Sequence, residues 1–130
     1  MKYALLIYES AAEFDARSGS DPAFFGAWTA YAEALKSAGH HAGGSGLEPP
    51  ATGTTVRHRG GERTVQDGPY ADTKEQLGGF FLIDVPDLDS ALEWAARCPV
   101  RQGAVEVRPA LGSCQSSSET ATRMRAALAT

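Results

Sequence analysis

A turn that leads directly into an apolar strand, between residues 67 and 86, constrains the fold most. Asp67, Gly68 and Pro69 favour a turn, because glycine permits a positive φ and proline lacks a backbone donor. Residues 80–85, FFLIDV, are mostly apolar and end in β-branched side chains, which is typical of a buried strand. The segment therefore predicts that ionisable groups lie just before a rigid strand. Catalytic residues are found at such positions, and so are the charged residues of ordinary solvated loops.

Size and charge exclude several classes of protein. A chain of 130 residues fits one domain with a real core, and its net charge of −4 argues against direct binding to nucleic acid or to an anionic membrane. The apolar N-terminal run is too short for a signal peptide or a membrane span, so we expect a cytoplasmic protein with Cys98 and Cys114 as free thiols. Without a zinc, phosphate-loop or dinucleotide motif, we predict no metal and no cofactor.

The first half of the chain predicts a strand, a helix and a weaker strand. Residues 2–8 alternate as in a strand, residues 9–20 resemble a polar loop, and Asp21 with Pro22 starts a helix that ends near Gly39. A glycine-rich strand is expected over residues 40–47. The buried stripe of the helix is predicted to be Phe24, Trp28, Tyr31 and Leu35.

The second half repeats this order after a hairpin. Residues 52–56 and 62–66 predict two arms that turn at Gly60 and Gly61, and residues 86–90 cap a second helix before a last strand over residues 104–108. The expected inward stripe of that helix is Leu88, Ala91, Leu92 and Ala95. Residues 112–130 predict a polar linker and a short helix outside a domain of residues 1–111.

Two strand-helix-strand units with an inserted hairpin predict an α+β, ferredoxin-like βαββαβ sandwich, with both helices on one face of a mainly antiparallel sheet. The strands over residues 3–8 and 80–85 are apolar on both faces. Because the two helices cover only one face, we expect a second copy to cover the other, giving a sheet-on-sheet homodimer.

The candidate catalytic residues surround the turn and the hairpin. Lys74 and Glu75 precede the glycine pair before the strand, which favours general acid–base chemistry there, although an exposed ion pair is the alternative. Asp72 is a further proton carrier, and His58 is either a base or a residue of an exposed hairpin. The ligand-binding candidates, each with a simpler structural role as its alternative, are Tyr8, Trp28, Arg57, Asp67 and Tyr70.

Several segments together resemble the YCII-related superfamily, and specifically its DGPF subfamily. The similarity rests on residues 2–8, 67–79, 83–89, 91–99 and 105–109, with Tyr70 and Asp72 departing from the common pattern. It implies a dimeric, α/β-barrel-like assembly of ferredoxin-like subunits. The superfamily includes lyase-like enzymes with a His–Asp site, but Ala27 stands where that histidine is expected, and residues 21–39 contain none.

These observations lead to one functional hypothesis and one alternative. The first is a small, cofactor-independent enzyme of lyase or isomerase type that acts by acid–base chemistry on a polar aromatic or carbonyl metabolite near the dimer interface. Lys74 or an arginine would stabilise negative charge, while Glu75, Asp72 or His58 would move the proton. The alternative is a ligand-binding or regulatory protein without turnover.

Overall fold

The computed structural model describes residues 1–19 and 21–111. The elements in chain order are β1 (Lys2–Ser10), α1 (Ala11–Ser18), α2 (Pro22–Ser37), β2 (His41–Gly46), a 3-10 turn (Pro50–Thr52), β3 (Thr54–Arg59), β4 (Glu62–Asp67), β5 (Glu75–Asp84), α3 (Leu88–Ala96) and β6 (Gly103–Pro109). None of the helices in these ranges is long and apolar enough to cross a bilayer. The predicted tail helix lies outside the described residues.

The main sheet has the strand order β2-β5-β1-β6, and all its neighbouring strands are antiparallel. This is the order of a ferredoxin-like α+β fold, in agreement with the sequence prediction. Strands β3 and β4 form a separate hairpin that turns at Gly60 and Gly61, both of which have positive φ angles, as a two-residue hairpin turn requires. The hairpin is therefore an insertion beside the sheet and not an extension of it.

The core lies between one face of the sheet and the helices. Leu5 and Ile83 supply its centre from β1 and β5, while Tyr31 and Leu35 supply it from α2. The Tyr31 hydroxyl donates a hydrogen bond to the Trp94 carbonyl oxygen over 2.7 Å, which joins α2 to α3 and satisfies a buried polar group. Of the stripe predicted for α2, Phe24, Tyr31 and Leu35 are buried, and Trp28 is partly buried against the core.

Both predicted helix starts are confirmed by their caps. The Asp21 side chain accepts a hydrogen bond from the backbone N–H of Ala23, with Pro22 opening the helix, and the Asp87 side chain accepts from Ser90. These contacts satisfy donors that the first helical turn leaves unpaired. The Ser90 contact holds the pKa of the Asp87 carboxyl below its ordinary value.

The prediction of a loop over residues 9–20 is wrong. Strand β1 continues to Ser10, and α1 follows it immediately. An eight-residue helix is too short to be stable alone, so local sequence gives little sign of it. Tertiary contacts hold it in place: Phe14 and Glu13 are buried, and Arg17 bonds to the Leu47 carbonyl oxygen.

Two further details differ from the sequence predictions. Strand β5 begins at Glu75, so Glu75 and the predicted glycine hinge are part of the strand, whereas Asp72 and Lys74 lie before it as predicted. In α3 only Ala91 of the predicted stripe is fully buried, because Leu88 and Leu92 face solvent while Trp94 and Ala95 pack on the core. Helix α3 therefore presents Trp94 to the core, in place of Leu88 and Leu92.

Candidate functional site

A cavity of about 310 Å³ lies between the helix-covered face of the sheet and the first two helices. Its walls are largely aromatic, and its strand side is rich in glycine, which leaves space close to the backbone. The lining residues that matter for its chemistry are Glu9, Arg17, Phe24, Trp28, His41 and Phe81. An apolar cavity with a few polar groups is the usual form of a small-molecule site.

The alternation of β1 carries Glu9 into this cavity. Tyr3, Leu5 and Ile7 are buried on the helix side, and the next residue on the same face is Glu9, with 1% of its surface exposed. A register shift in β5 opposite residues 7 and 8 leaves Gly78 unpaired beside it. A Cβ atom at Gly78 would lie 2.0 Å from Glu9 Oε1, so only glycine leaves room for this carboxyl group.

One guanidinium group balances the buried carboxyl group. Arg17 Nη2 donates to Glu9 Oε1 over 2.7 Å, and Arg17 Nη1 donates to the Leu47 carbonyl oxygen. The guanidinium carbon also lies 5.0 Å from the Phe14 ring centre and 5.4 Å from that of Phe24. Arg17 is therefore fixed by hydrogen bonds and by cation–π contacts.

Burial raises the pKa of the Glu9 carboxyl above its ordinary value. The Arg17 charge and hydrogen bond oppose this effect, whereas the neighbouring Glu13 adds to it. The second oxygen, Oε2, is buried and has no hydrogen-bond partner among the described residues. A carboxyl group in this state is suited to proton transfer, because its acid form persists to higher pH than that of an exposed glutamate.

Trp28 places a second unsatisfied polar group at the cavity wall. Its ring stacks on Phe81 with centres 6.3 Å apart and meets Tyr31 edge-on, so its position is fixed by packing. Its Nε1 atom is buried without a partner within the described part of the chain. A buried indole N–H normally finds an acceptor, so Trp28 has an unused hydrogen-bond donor beside the cavity.

A second group of candidates meets on the uncovered face of the sheet. Tyr8, Lys74 and Glu75 line an open groove of about 620 Å³ with Ser10, whose buried hydroxyl has no partner among the described residues. Tyr8 and Glu75 also border a neighbouring groove of about 550 Å³, together with Tyr70. The structure thus brings four sequence-predicted residues to one end of the sheet, although on the face opposite Trp28.

The remaining candidates lie along the hairpin and its connection to β5. Arg57 Nε donates to Gln66 Oε1 over 3.0 Å, and its guanidinium carbon lies 5.2 Å from the Tyr70 ring centre. His58 is exposed and opposite Arg63, Asp67 ends β4, and Asp72 is exposed in the following loop. His58, Asp67 and Asp72 line none of the three cavities described above.

The described residues contain no group of three or more His, Cys, Asp or Glu side chains arranged to hold a metal ion. Cys98 is a buried free thiol, and burial raises its pKa above the ordinary value. The residues that line the cavity can support proton transfer, hydrogen bonding and aromatic contact.

Fold and cavity together define a small, ferredoxin-like α+β domain with an ionisable group enclosed between sheet and helices. The chain belongs to the YCII-related domain family, whose model matches residues 1–111. Over 66 residues it is 48% identical to an uncharacterized protein of Rhizobium meliloti (strain 1021), an alignment that covers 48% of this chain and 53% of that relative. The alignment thus spans about half the length of the relative.

Sequence reasoning missed Glu9, Glu13 and Arg17 because it treated the segment after β1 as a loop. One signal was available for Glu9. Tyr3, Leu5 and Ile7 share the face of β1 that the core requires, and strict alternation places Glu9 next on that face. A charged residue at a predicted core position is a stronger indication of a site than charges in an exposed turn.

Proposed function

We propose that this protein is a small, cofactor-independent enzyme of lyase or isomerase type that acts by general acid–base chemistry on a small polar aromatic or carbonyl compound. The observation that carries the proposal is Glu9, a buried carboxyl group with a raised pKa on the wall of an aromatic cavity. Buried polar groups that structure alone does not require are more often found at functional sites than elsewhere.

Each group has a role that follows from its position. Glu9 transfers the proton, and Arg17 stabilises the carboxylate that remains after the proton has left. The Trp28 N–H donates to an oxygen of the ligand, while the rings of Phe24 and Phe81 contact its apolar surface. The buried position of Glu9 keeps water away and strengthens these electrostatic interactions.

The groove on the opposite face supports a second candidate site for the same class of reaction. Lys74 and Glu75 lie there with Tyr8, so the ammonium group would stabilise developing negative charge while Glu75, Asp72 or His58 moves the proton. Arg57, Asp67 and Tyr70 would bind the ligand from the hairpin side. This placement is less favourable, since Lys74 and Glu75 are exposed and solvent weakens their charges.

We further propose a homodimer in which the uncovered faces of two sheets pack together as an α/β barrel. Ala4, Leu6, Phe80 and Leu82 are only half-buried, and their alternation places them away from the helices. A second copy would remove this apolar surface from water and enclose the groove beside Tyr8. Light scattering at micromolar concentration tests this arrangement, and a stable monomer would contradict it.

The alternative is a ligand-binding or regulatory accessory protein, which would use the same cavity without turnover. The resemblance to the DGPF subfamily is compatible with either role. The two differ in one measurable property: an enzyme converts a bound compound, whereas a binding protein releases it unchanged.

The test uses a panel of phenols and small carbonyl compounds with the full-length protein. Thermal shift detects binding, and NMR of the small molecule detects conversion. We expect Glu9→Gln to lower the rate of conversion by about two orders of magnitude or more, as for loss of a general acid or base. Glu33→Gln, an exposed change on α2, is the matched control.

Three outcomes separate the possibilities. Conversion that persists in Glu9→Gln but is lost in Lys74→Ala and Glu75→Ala would move the site to the groove. Binding that needs Glu9 or Trp28 but produces no conversion would support the regulatory alternative. Equal behaviour of Glu9→Gln, Trp28→Phe and Glu33→Gln would reject the cavity as a site.

A further inference from the structure

The end of β1 and the adjoining helix α1 bury two carboxyl groups beside a single guanidinium group. Glu9 and Glu13 are 1% and 2% exposed, and Arg17 follows Glu13 by one helical turn. Arg17 is the cation paired with this cluster, through Glu9 Oε1. If both carboxyl groups were ionised, one buried negative charge would have no counter-charge, which is a costly arrangement.

The hydrogen bonds of Glu13 show which of its oxygens is already satisfied. Its Oε1 accepts from the backbone N–H of Arg101 at 2.8 Å and from that of Gln102 at 3.1 Å. Its Oε2 is buried without a partner among the described residues, as is Oε2 of Glu9. Each carboxyl group therefore has one satisfied oxygen and one unsatisfied oxygen.

The backbone makes the two carboxyl groups neighbours, because Gln102, whose N–H donates to Glu13 Oε1, directly precedes Gly103, which pairs with Glu9 across β1 and β6. Two carboxylates cannot bond, because each can only accept, but a protonated carboxyl group supplies the missing donor. Two like charges buried side by side are also the usual reason for a pair of acids to retain a proton. A single proton thus satisfies both buried oxygens and balances the charge of Arg17.

The other charged groups near the pair do not replace this proton. The Arg101 side chain lies 3.6 Å from the Asp21 carboxylate at the surface and over the Phe24 ring, and only its backbone reaches Glu13. His41 contributes to the cavity wall from β2 and meets the Phe81 ring edge-on. Arg17 and the two backbone N–H groups are therefore the positive partners of the cluster within the described residues.

We propose that Glu9 and Glu13 hold one proton between them in the resting protein, with Glu9 Oε2 as the donor and Glu13 Oε2 as the acceptor. Glu13, held by the backbone before β6, is then a positioning residue for Glu9 and has no contact with the ligand. The net charge of the three side chains is zero, which explains how two acids remain buried beside one arginine.

This inference rests on the same site as the proposed function and defines its first step. Glu9 begins as the acid: its O–H bond breaks as an O–H or C–H bond forms on the ligand, and the resulting carboxylate faces Arg17. A proton from product or solvent restores the resting state. In this step Glu13 loses only the hydrogen bond that Glu9 donated.

The experiment needs no substrate, so its result is independent of the proposed activity. NMR of protein labelled with carbon-13 at the glutamate carboxyl groups follows each titration in wild type, Glu13→Gln, Glu9→Gln and the exposed control Glu33→Gln. We expect the Glu9 signal to titrate above the ordinary range of a glutamate, and the chemical shift of the neighbouring Glu13 carboxyl group to respond in the same step. In Glu13→Gln the Glu9 transition should shift to lower pH.

The outcomes decide the proposal even if a variant fails to fold. In wild type alone, infrared absorption of a protonated carboxyl group should persist above the pH at which glutamates ordinarily ionise, and its absence would overturn the proposal. A folded Glu9→Gln variant should lack this absorption. Independent titration of the two signals, or an unchanged Glu9 transition in Glu13→Gln, would overturn the shared proton. If instead no compound of the panel is converted while the two signals remain coupled, the proposed function is contradicted and the shared proton is not.

Discussion

The two faces of the main sheet carry the same kinds of side chain but differ in what covers them. On β1, Leu5 faces the helices and is fully buried, whereas the adjacent Leu6 faces away and is half-buried. The covered face encloses Glu9 and its arginine; the uncovered face has Lys74 and Glu75 in an open groove. The pKa of an ionisable group therefore depends on its burial in the folded protein, whereas local sequence determines only the strand or loop on which the group lies.

The largest expected effect contrasts the two leucines of β1. Leu5→Ala leaves a cavity in the core and should lower the free energy of unfolding by about 2–5 kcal/mol in urea denaturation. In a monomer, Leu6→Ala should lower the free energy of unfolding by clearly less, because the Leu6 side chain is already partly exposed to water. If a second copy covers this face, the cost at Leu6 will rise and will depend on protein concentration.

The glycine beside Glu9 gives the next largest contrast. A Cβ atom at Gly78 meets the Glu9 carboxyl group, whereas one at Gly46, in the neighbouring strand β2, meets nothing within 4 Å. Gly78→Ala should therefore destabilise the fold by about 1–3 kcal/mol, as overpacking does, and should also impair ligand binding in the cavity. Gly46→Ala is the control, and equal unfolding midpoints for the two variants would contradict the placement of Glu9.

A pH-dependent contrast comes from the raised pKa of Glu9. In the unfolded chain this carboxyl titrates near its ordinary pKa of 4.5, and the native protein holds the proton more tightly. Above that pH the native state binds more protons than the unfolded state, so the free energy of unfolding falls as pH rises toward the native pKa. Each unit by which the native pKa exceeds the unfolded pKa changes the free energy of unfolding by about 1.4 kcal/mol.

Glu9→Gln should remove this part of the pH dependence, and Glu33→Gln should retain it. Urea denaturation at a series of pH values, from 4.5 upward, measures the difference between the two variants. Parallel curves for both would show that Glu9 does not keep its proton in the native protein.

The smallest expected effect belongs to the open groove. Lys74→Ala and Glu75→Ala change exposed residues, so each should alter the free energy of unfolding by less than about 0.5 kcal/mol. Binding of the phenol and carbonyl panel by thermal shift is the sensitive measurement. A loss of binding in both variants, with stability unchanged, would transfer the site from the covered face to the groove.

Much of the fold was accessible from the sequence because it depends on local periods and caps. Asp21 with Pro22 and Asp87 with Ser90 mark helix starts through backbone donors that are near in sequence. The candidate site was less accessible. Trp28 was among the predicted ligand-binding residues, but Glu9 was not, since the segment after β1 gives too weak a helical pattern to indicate that Glu13 and Arg17 share a face.

By itself, the sequence determined the antiparallel α+β order, because alternation, helical spacing and turn glycines act over a few residues each. The tertiary structure alone decided the environment of Glu9. Arg17, Gly78 and the backbone of Arg101 approach the Glu9–Glu13 pair from separate parts of the chain, and a carboxyl group's proton affinity depends on distances in space and on exclusion of water. Those quantities exist only once the sheet and helices have closed around it.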